Sequence, residues 1–511
     1  MSEIPAYSGN DTEKGKYGND EKSNYQTDVT AGYGSSENLD ESEVLQFSET
    51  KELRRGLGQR HIQMIALAGT IGTGLFLGSG KALARGGPLG ALMGYSFVGV
   101  LVTGVVISIA ELSALVPLSG AIIRHAEYFV DPALSFAQGW NSIYSSLVSL
   151  PAEIVAAAVI VEFWTQAVNS AVWITIFGIL LVISNLLFVR VYGELEFGFA
   201  SLKIMLIIGV NIMNILGMPD LWDTSWDSIQ LSQMPSAAET QSPRRNIPIA
   251  AKRIFWRVSI FYDLLRSTGT AAQSPFVIAS TRAGIKVVPS IINAVVLSSA
   301  WSAGNSDAAN NIKVLLGSSR TLYGMAREGH APKIFLRVSR MGVPYVAVAF
   351  MSIWMCLGYM TLSDSASTVF SWLQDLVATA ALVHWIIICV VYLRFYYGMK
   401  KQGIARSALP WAAPFQPYAA WTSLIAFSIL LLTGGYITFV HGHWDNETFV
   451  SSYINIPIIL ILYLVYKFIK KTKIIPLDQL PIQKFIDIAN ANPEEPAKPV
   501  VGWRRFNILW S

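Results

Sequence analysis

Ten stretches of this chain are apolar for long enough to cross a lipid bilayer, which limits its fold more than any other feature. They lie near residues 61–80, 88–110, 133–160, 171–189, 199–218, 281–304, 344–362, 369–393, 418–440 and 454–469. A spanning helix needs about 20 such residues. In hydrocarbon a backbone must satisfy its own N–H and C=O groups, so apolar runs of this length are read as helices. The composition agrees: 52% of residues are hydrophobic, only 14% are charged, and the mean hydropathy is +0.43. Soluble domains carry about 25% charge. The predicted fold class is therefore an all-α polytopic membrane protein.

The runs divide the chain into three parts. Residues 1–48 are rich in Ser, Gly, Asn, Asp, Glu and Lys and bury too little apolar surface to offset chain entropy, which predicts a disordered tail. In it Lys14, Lys16 and Lys22 read either as solvated charges or as regulatory sites. Residues 49–475 form the membrane domain, and 476–511 a second tail. Basic residues set the orientation. The patch at 51–60, then Arg124, Arg190, the run from Arg320 to Arg340, Arg394, Lys400, Lys401, Arg406 and the group from Lys467 to Lys473 all fall on one side if the N-terminus is inside. The opposite loops hold little beyond Lys81 and Arg85, a bias that predicts cytoplasmic termini. The net charge of +4 sits in short loops and gives no nucleic-acid surface. The two cysteines, Cys356 and Cys389, lie inside apolar runs, so neither a disulfide framework nor a metal cluster is indicated.

Between about 219 and 274 the pattern fails. Asp220 to Gln241 is too polar to span, and Ile254 to Leu265 is too short. Five spans from an inside start leave the chain outside at Gly217, while the basic 320–340 loop needs the span ending at 304 to run inward. An even number of crossings must lie between them, yet no pair of apolar helices is present. The sequence thus predicts ten spans plus a stub, with a helix and a half missing.

Within the spans, a few residues break the apolar rule. The stretch 61–80 contains Gly69, Thr70, Ile71, Gly72, Thr73 and Gly74. Glycine costs roughly 1 kcal/mol relative to alanine at each helical position. One reading is a helix that breaks near the midplane and turns freed backbone groups toward a substrate, as secondary transporters do; the other is close helix packing through small residues. Glu153 has no basic residue within a helical turn or two. A carboxyl at such depth is a candidate proton-coupling group, against a structural hydrogen bond to a neighbour. Glu111 reads as reaching the interface at the end of the second span, and Asp375 is ambiguous. Ser302 and Asn305, three apart, would line a pore or glue helices together. Asn446-Glu447-Thr448 is a glycosylation triplet expected in an outer loop. No phosphate-binding loop, catalytic triad or metal-ligand spacing is present, so the expectation is a secondary transporter that is not an enzyme and needs no cofactor.

Several long blocks also resemble one family. They are RRGLGQRHIQMIALAGTIGTGLFLGSG (54–80), SLPAEIVAAAVI (149–160), SPRRNIPIAAKRIFWRVSIFY (242–262), SPFVIASTRAGIKVVPSIINAVVLSSAWSAGNSD (274–307) and SRTLYGMAREGHAPKIF (319–335). The chain resembles the fungal plasma-membrane amino-acid permeases of the amino acid–polyamine–organocation superfamily over nearly everything from about 50 to 475. The resemblance implies a LeuT-like 5+5 inverted-repeat core, import of amino acids with protons, Gly69 to Gly74 at the substrate's carboxylate and amine, and Glu153 at the third-helix acidic position. The sequence departs from the family pattern in three places: Asp220 to Pro235 stands where a sixth broken helix is expected, the seventh is cut after Tyr262, and about nine residues from Ala309 are inserted. It also lacks a terminal Phe-Trp-Cys lipidation site, ending in NILWS. Those departures predict that this exact chain does not transport; the alternatives are a non-transporting amino-acid sensor and an inactive permease paralogue.

Overall fold

The computed structural model describes residues 79–116, 122–165, 167–187, 198–199, 201–209, 287–305, 318–339, 343–442 and 444–491. Among them the structure is helical, with no strand. The principal helices are α1 (Ser79–Leu115), α2 (Ile122–Phe129), α3 (Pro132–Val161), α4 (Ser170–Leu187), α5 (Val288–Asn305), α6 (Ser318–Arg327), α7 (Tyr345–Ile353), α8 (Ala366–Lys401), α9 (Tyr418–Thr433), α10 (Asn446–Tyr453), α11 (Asn455–Lys470) and α12 (Ile482–Ala491).

The tail at 1–48, the stretch from Gly69 to Gly74 and the region 219–274 lie outside the described residues, as do 61–78 and most of 199–218. The other eight predicted spans all fall on helices. Leu92–Leu115, Pro132–Val161, Tyr345–Leu362 and Ala366–Lys401 are long and apolar enough to cross a membrane, and α10 with α11 makes a fifth such segment bent by 42°. The apolar parts of α4, α5 and α9 are shorter. Several boundaries differ from the sequence reading; α8, for one, runs on to Lys401. The expected loop holding Lys81 and Arg85 is helical, because α1 runs for 37 residues, about 55 Å at 1.5 Å per residue, and so exceeds the bilayer. The glycosylation triplet is also helical: Asp445 caps α10 by accepting from the Thr448 N–H at 3.1 Å, and the Asn446 side chain accepts from Trp444 Nε1 at 2.8 Å.

Helix α3 is the centre of the bundle. It packs against α2, α4, α5, α6, α8, α11 and the 3₁₀ turn Trp354–Leu362. Its first turn is set by Asp131, whose side chain accepts from the Leu134 N–H at 2.8 Å, with Pro132 at the first helical position; a missing N–H costs nothing there. A second group joins α1, α8 and α9. The α1–α9 approach depends on Gly104, where a Cβ would stand 2.5 Å from Ser423 Oγ and 3.0 Å from the Ala419 carbonyl oxygen. That closeness lets Ser423 donate to the Leu101 carbonyl at 2.8 Å.

The described residues after α11, up to Ala491, pack on the bundle. Leu480 and Ile482 cover Gly398 of α8, Phe485 meets Tyr128 edge-on at 5.4 Å, and Lys401 pairs with Asp478 at 3.0 Å.

Candidate functional site

The acidic residues of the described spans occupy different environments. Glu153 sits half-buried in α3, two residues beyond Pro151, which interrupts the helix's hydrogen-bond ladder. Asp375 is half-buried in α8. Neither is an unpartnered charge. Ser302 and Asn305 fall in the closing turns of α5, the helix that packs on α3. The structure therefore brings the helix bearing Glu153 against the helix bearing Ser302 and Asn305, and the glycine stretch lies outside the described residues.

Glu111 corrects the sequence reading. It was expected to reach the interface, but it is only 1% exposed, because α1 continues to Leu115 and the 402–417 connection folds back over it. Its Oε2 accepts from Arg406 Nη2 at 2.7 Å, the Ala413 N–H at 2.7 Å and the Tyr392 hydroxyl at 2.9 Å. Arg406 also donates to the Ala413 carbonyl at 2.9 Å, and Gln416 donates to Ser108 at 2.7 Å. A buried carboxylate with three donors satisfies the rule that charge taken out of water must be paired.

A second buried acid, Asp131, is one that sequence reasoning missed. Besides capping α3 it accepts from Lys467 Nζ at 2.7 Å and from the Tyr463 hydroxyl at 3.2 Å. Beside it Arg394 donates through Nε to the Phe129 carbonyl at 2.7 Å and through Nη2 to the Ile475 carbonyl. Arg124 reaches Glu328 at 2.8 Å. His330, next to that pair, is driven below its ordinary pKa by burial and then by the charges of Arg124 and Lys470. Arg124, Arg394, Lys401 and Lys467, all assigned to one side by the charge bias, thus share one end of the bundle. An aspartate just before Pro132 was the sequence's one trace of this arrangement.

Further along α3 is a layer of neutral polar groups. Gln138 meets His384 of α8 side chain to side chain. Asn141 donates to the Ala380 carbonyl at 3.1 Å and accepts from Asn455 at 3.2 Å. Asn455 opens α11 at the 42° bend and is fully buried. Two oxygens in this layer, Gln138 Oε1 and Asn455 Oδ1, are buried without a protein partner. Among the described residues no group of His, Cys, Asp and Glu is placed to hold a metal ion.

The sequence and the fold have known relatives. The amino acid permease family profile matches residues 61–220 and 231–478. The chain is similar to the proline-specific permease of Saccharomyces cerevisiae, at 34% identity over 489 residues, covering 83% of this chain and 77% of that one. It is similar as well to the dicarboxylic amino acid permease of the same yeast, at 33% identity over 509 residues, with 88% and 82% covered. In structure it is similar to the manganese transporter of Eremococcus coleocola, with a TM-score of 0.53 at 13% identity, covering 88% of this chain and all of that one; at that identity the likeness concerns the fold alone.

Proposed function

The chain belongs to the amino acid permease family, and from that premise we propose that it is built to import amino acids across the plasma membrane by proton symport, with both termini cytoplasmic. The observation that carries the proton part is Glu153, a carboxyl half-buried in the central helix α3. A carboxyl inside a span can exchange a proton for an opposing charge or a substrate amine, which is what coupling requires. Gly69 to Gly74 supplies backbone groups for the substrate's carboxylate and amine, and Ser302 and Asn305 on α5 complete the wall from the other half of a 5+5 repeat. Amino acid and proton are the partners, and no cofactor is required.

Transport also needs a second broken helix opposite the first, and no stretch between 219 and 274 is apolar for about 20 residues. The proposal is therefore that this exact chain does not transport and that a form with the sixth helix restored does. The test is expression of both in a permease-deficient yeast, with uptake of a radiolabelled amino-acid panel. Saturable, pH-dependent uptake is expected from the restored form alone, and Glu153→Gln should abolish accumulation against a gradient. Unchanged pH dependence in Glu153→Gln would make Glu153 structural. Robust uptake by the chain as written would show that its remaining helices suffice.

A further inference from the structure

Helix α3 carries a one-sided polar stripe that the transport reading leaves unused. Between Asp131 and Glu153 stand Ser135, Gln138, Ser142, Ser146 and Ser149. Their spacing of three and four places all seven on an arc of roughly 80°, along about 33 Å of helix, at 100° and 1.5 Å per residue. Beyond Glu153 the same arc continues with Ala156 and Ile160. The stripe therefore leads from Glu153 in one direction only, toward Asp131.

Small residues alone would be explained by close helix packing. Some of the stripe is accounted for within the protein: Ser146 donates to the Ser142 carbonyl at 3.2 Å and the Gln138 amide meets His384. Packing leaves two atoms unexplained: Ser135 Oγ and Gln138 Oε1 are both on residues with no exposed surface, and neither has a protein partner. An unsatisfied buried polar group is destabilising, and alanine or leucine would avoid that. Buried polar atoms without protein partners are normally met by internal water. At its far end Asp131, itself without exposed surface, holds the Tyr463 hydroxyl and Lys467, and the Lys467 side chain, 25% exposed, reaches the solution.

We propose that this stripe is a water-bridged path through which Glu153 exchanges its proton with the solution at the Asp131 end. The protonated Glu153 carboxyl passes its proton to the adjoining water, leaving a carboxylate. Successive waters, held by Ser146, Ser142, Gln138 and Ser135, each accept one proton and release another, and one leaves beside Asp131. Reloading is the reverse. The path rests on the reading of Glu153 as the proton-coupling group, but its existence is measurable apart from transport.

The test uses the full chain with Cys356→Ser and Cys389→Ala. Single cysteines replace Ser135, Ser142 or Ser146 on the stripe, and Ile143 or Leu150 on other faces of the same helix. Silver ion, which goes where water goes, is applied to membranes, and thiols left unblocked are counted with a maleimide after denaturation. The stripe positions should be blocked at least about ten-fold faster than the controls, since a dry, well-packed position reacts only when the bundle opens locally. Equal rates at all five positions would overturn the path. In a second measurement, the infrared carboxyl band of Glu153, identified by difference from Glu153→Gln, is followed after transfer to heavy water. Gln138→Leu should slow its exchange about ten-fold, or about 1.4 kcal/mol of barrier, while Leu147→Val should not. An unchanged rate in Gln138→Leu overturns the relay. If both measurements come out as expected but Glu153→Gln keeps the pH dependence of uptake in the restored form, the path stands and only the coupling role of Glu153 falls.

Discussion

Glu111 Oε2 and Arg406 Nη2 are 2.7 Å apart, although 295 positions separate them in the chain. The carboxylate side chain has no exposed surface, while the guanidinium keeps 31% of its own. The two partners are thus unequal: losing the arginine strands a charge in the interior, whereas losing the acid leaves an arginine that can still turn to water.

That inequality predicts an order of stabilities. Arg406→Met should cost about 3 kcal/mol, in the range for breaking one side of a buried pair, and Glu111→Gln should cost less. Thermal loss of monodispersity in detergent measures both. A Glu111→Gln variant less stable than Arg406→Met would contradict the assignment of Glu111 as the enclosed partner.

A second prediction concerns the seat of the C-terminal segment. A Cβ on Gly398 would lie 2.5 Å from Leu480 Cδ1, 3.1 Å from Ile482 Cδ1 and 3.4 Å from the Leu477 carbonyl oxygen. Gly398→Leu should lift residues 477–482 off α8 and weaken the Lys401–Asp478 pair with them. Limited proteolysis between 476 and 491 should then run about ten-fold faster, because opening free energy sets cleavage. Unchanged cleavage would mean that α12 is held from elsewhere.

The eight spans on helices were legible because long apolar runs leave the backbone no other choice; α3 follows the predicted limits closely, while α8 runs on to Lys401. Glu153 stands out in the sequence as an acid in an apolar run, and the structure places it half-buried in α3; its role is the proposal made above. The environment of Glu111 was not legible, because Tyr392 comes from the distant helix α8 and Arg406 and Ala413 from a loop whose fold-back leaves no local pattern. Asp131 was hidden in the same way: Lys467 is 336 positions away, and periodicity reports which face a residue occupies but not what lies opposite.

A third prediction is pH dependence of stability through His125. Its Nε2 lies 2.9 Å from the Val116 carbonyl oxygen, and burial, aided by the charge of Arg124, pushes its pKa down to about 4. An unfolded histidine titrates near 6.5. Below that pH the unfolded chain binds a proton that the native state refuses until about 4, so stability is full above 6.5 and falls as pH drops through this window, by on the order of 3 kcal/mol. Thermal stability measured between pH 7.5 and 4.5 should decline, and His125→Gln should decline less. Identical profiles would assign the acid sensitivity to other groups.

The fourth prediction addresses the glycine stretch. In the restored form, Gly72→Leu should abolish uptake while leaving surface expression intact, since a bulky side chain blocks approach of substrate to backbone. Surface biotinylation with uptake in the same cells separates the two effects, and normal uptake would remove Gly72 from the site.

The central position of α3 has a consequence for how the chain is made. Its residues 132–161 enter the membrane early, but its neighbours α5, α6, α8 and α11 are synthesised afterwards. About 300 residues must follow before Lys467 arrives opposite Asp131, roughly 15–60 s at ribosomal rates of 5–20 residues per second. During that interval Gln138, Asn141 and the acids at either end lie among lipid tails or temporary company. The nascent permease thus has its central helix, with these polar groups, waiting for most of its neighbours, and an insertase or lipid that shelters α3 would govern its yield.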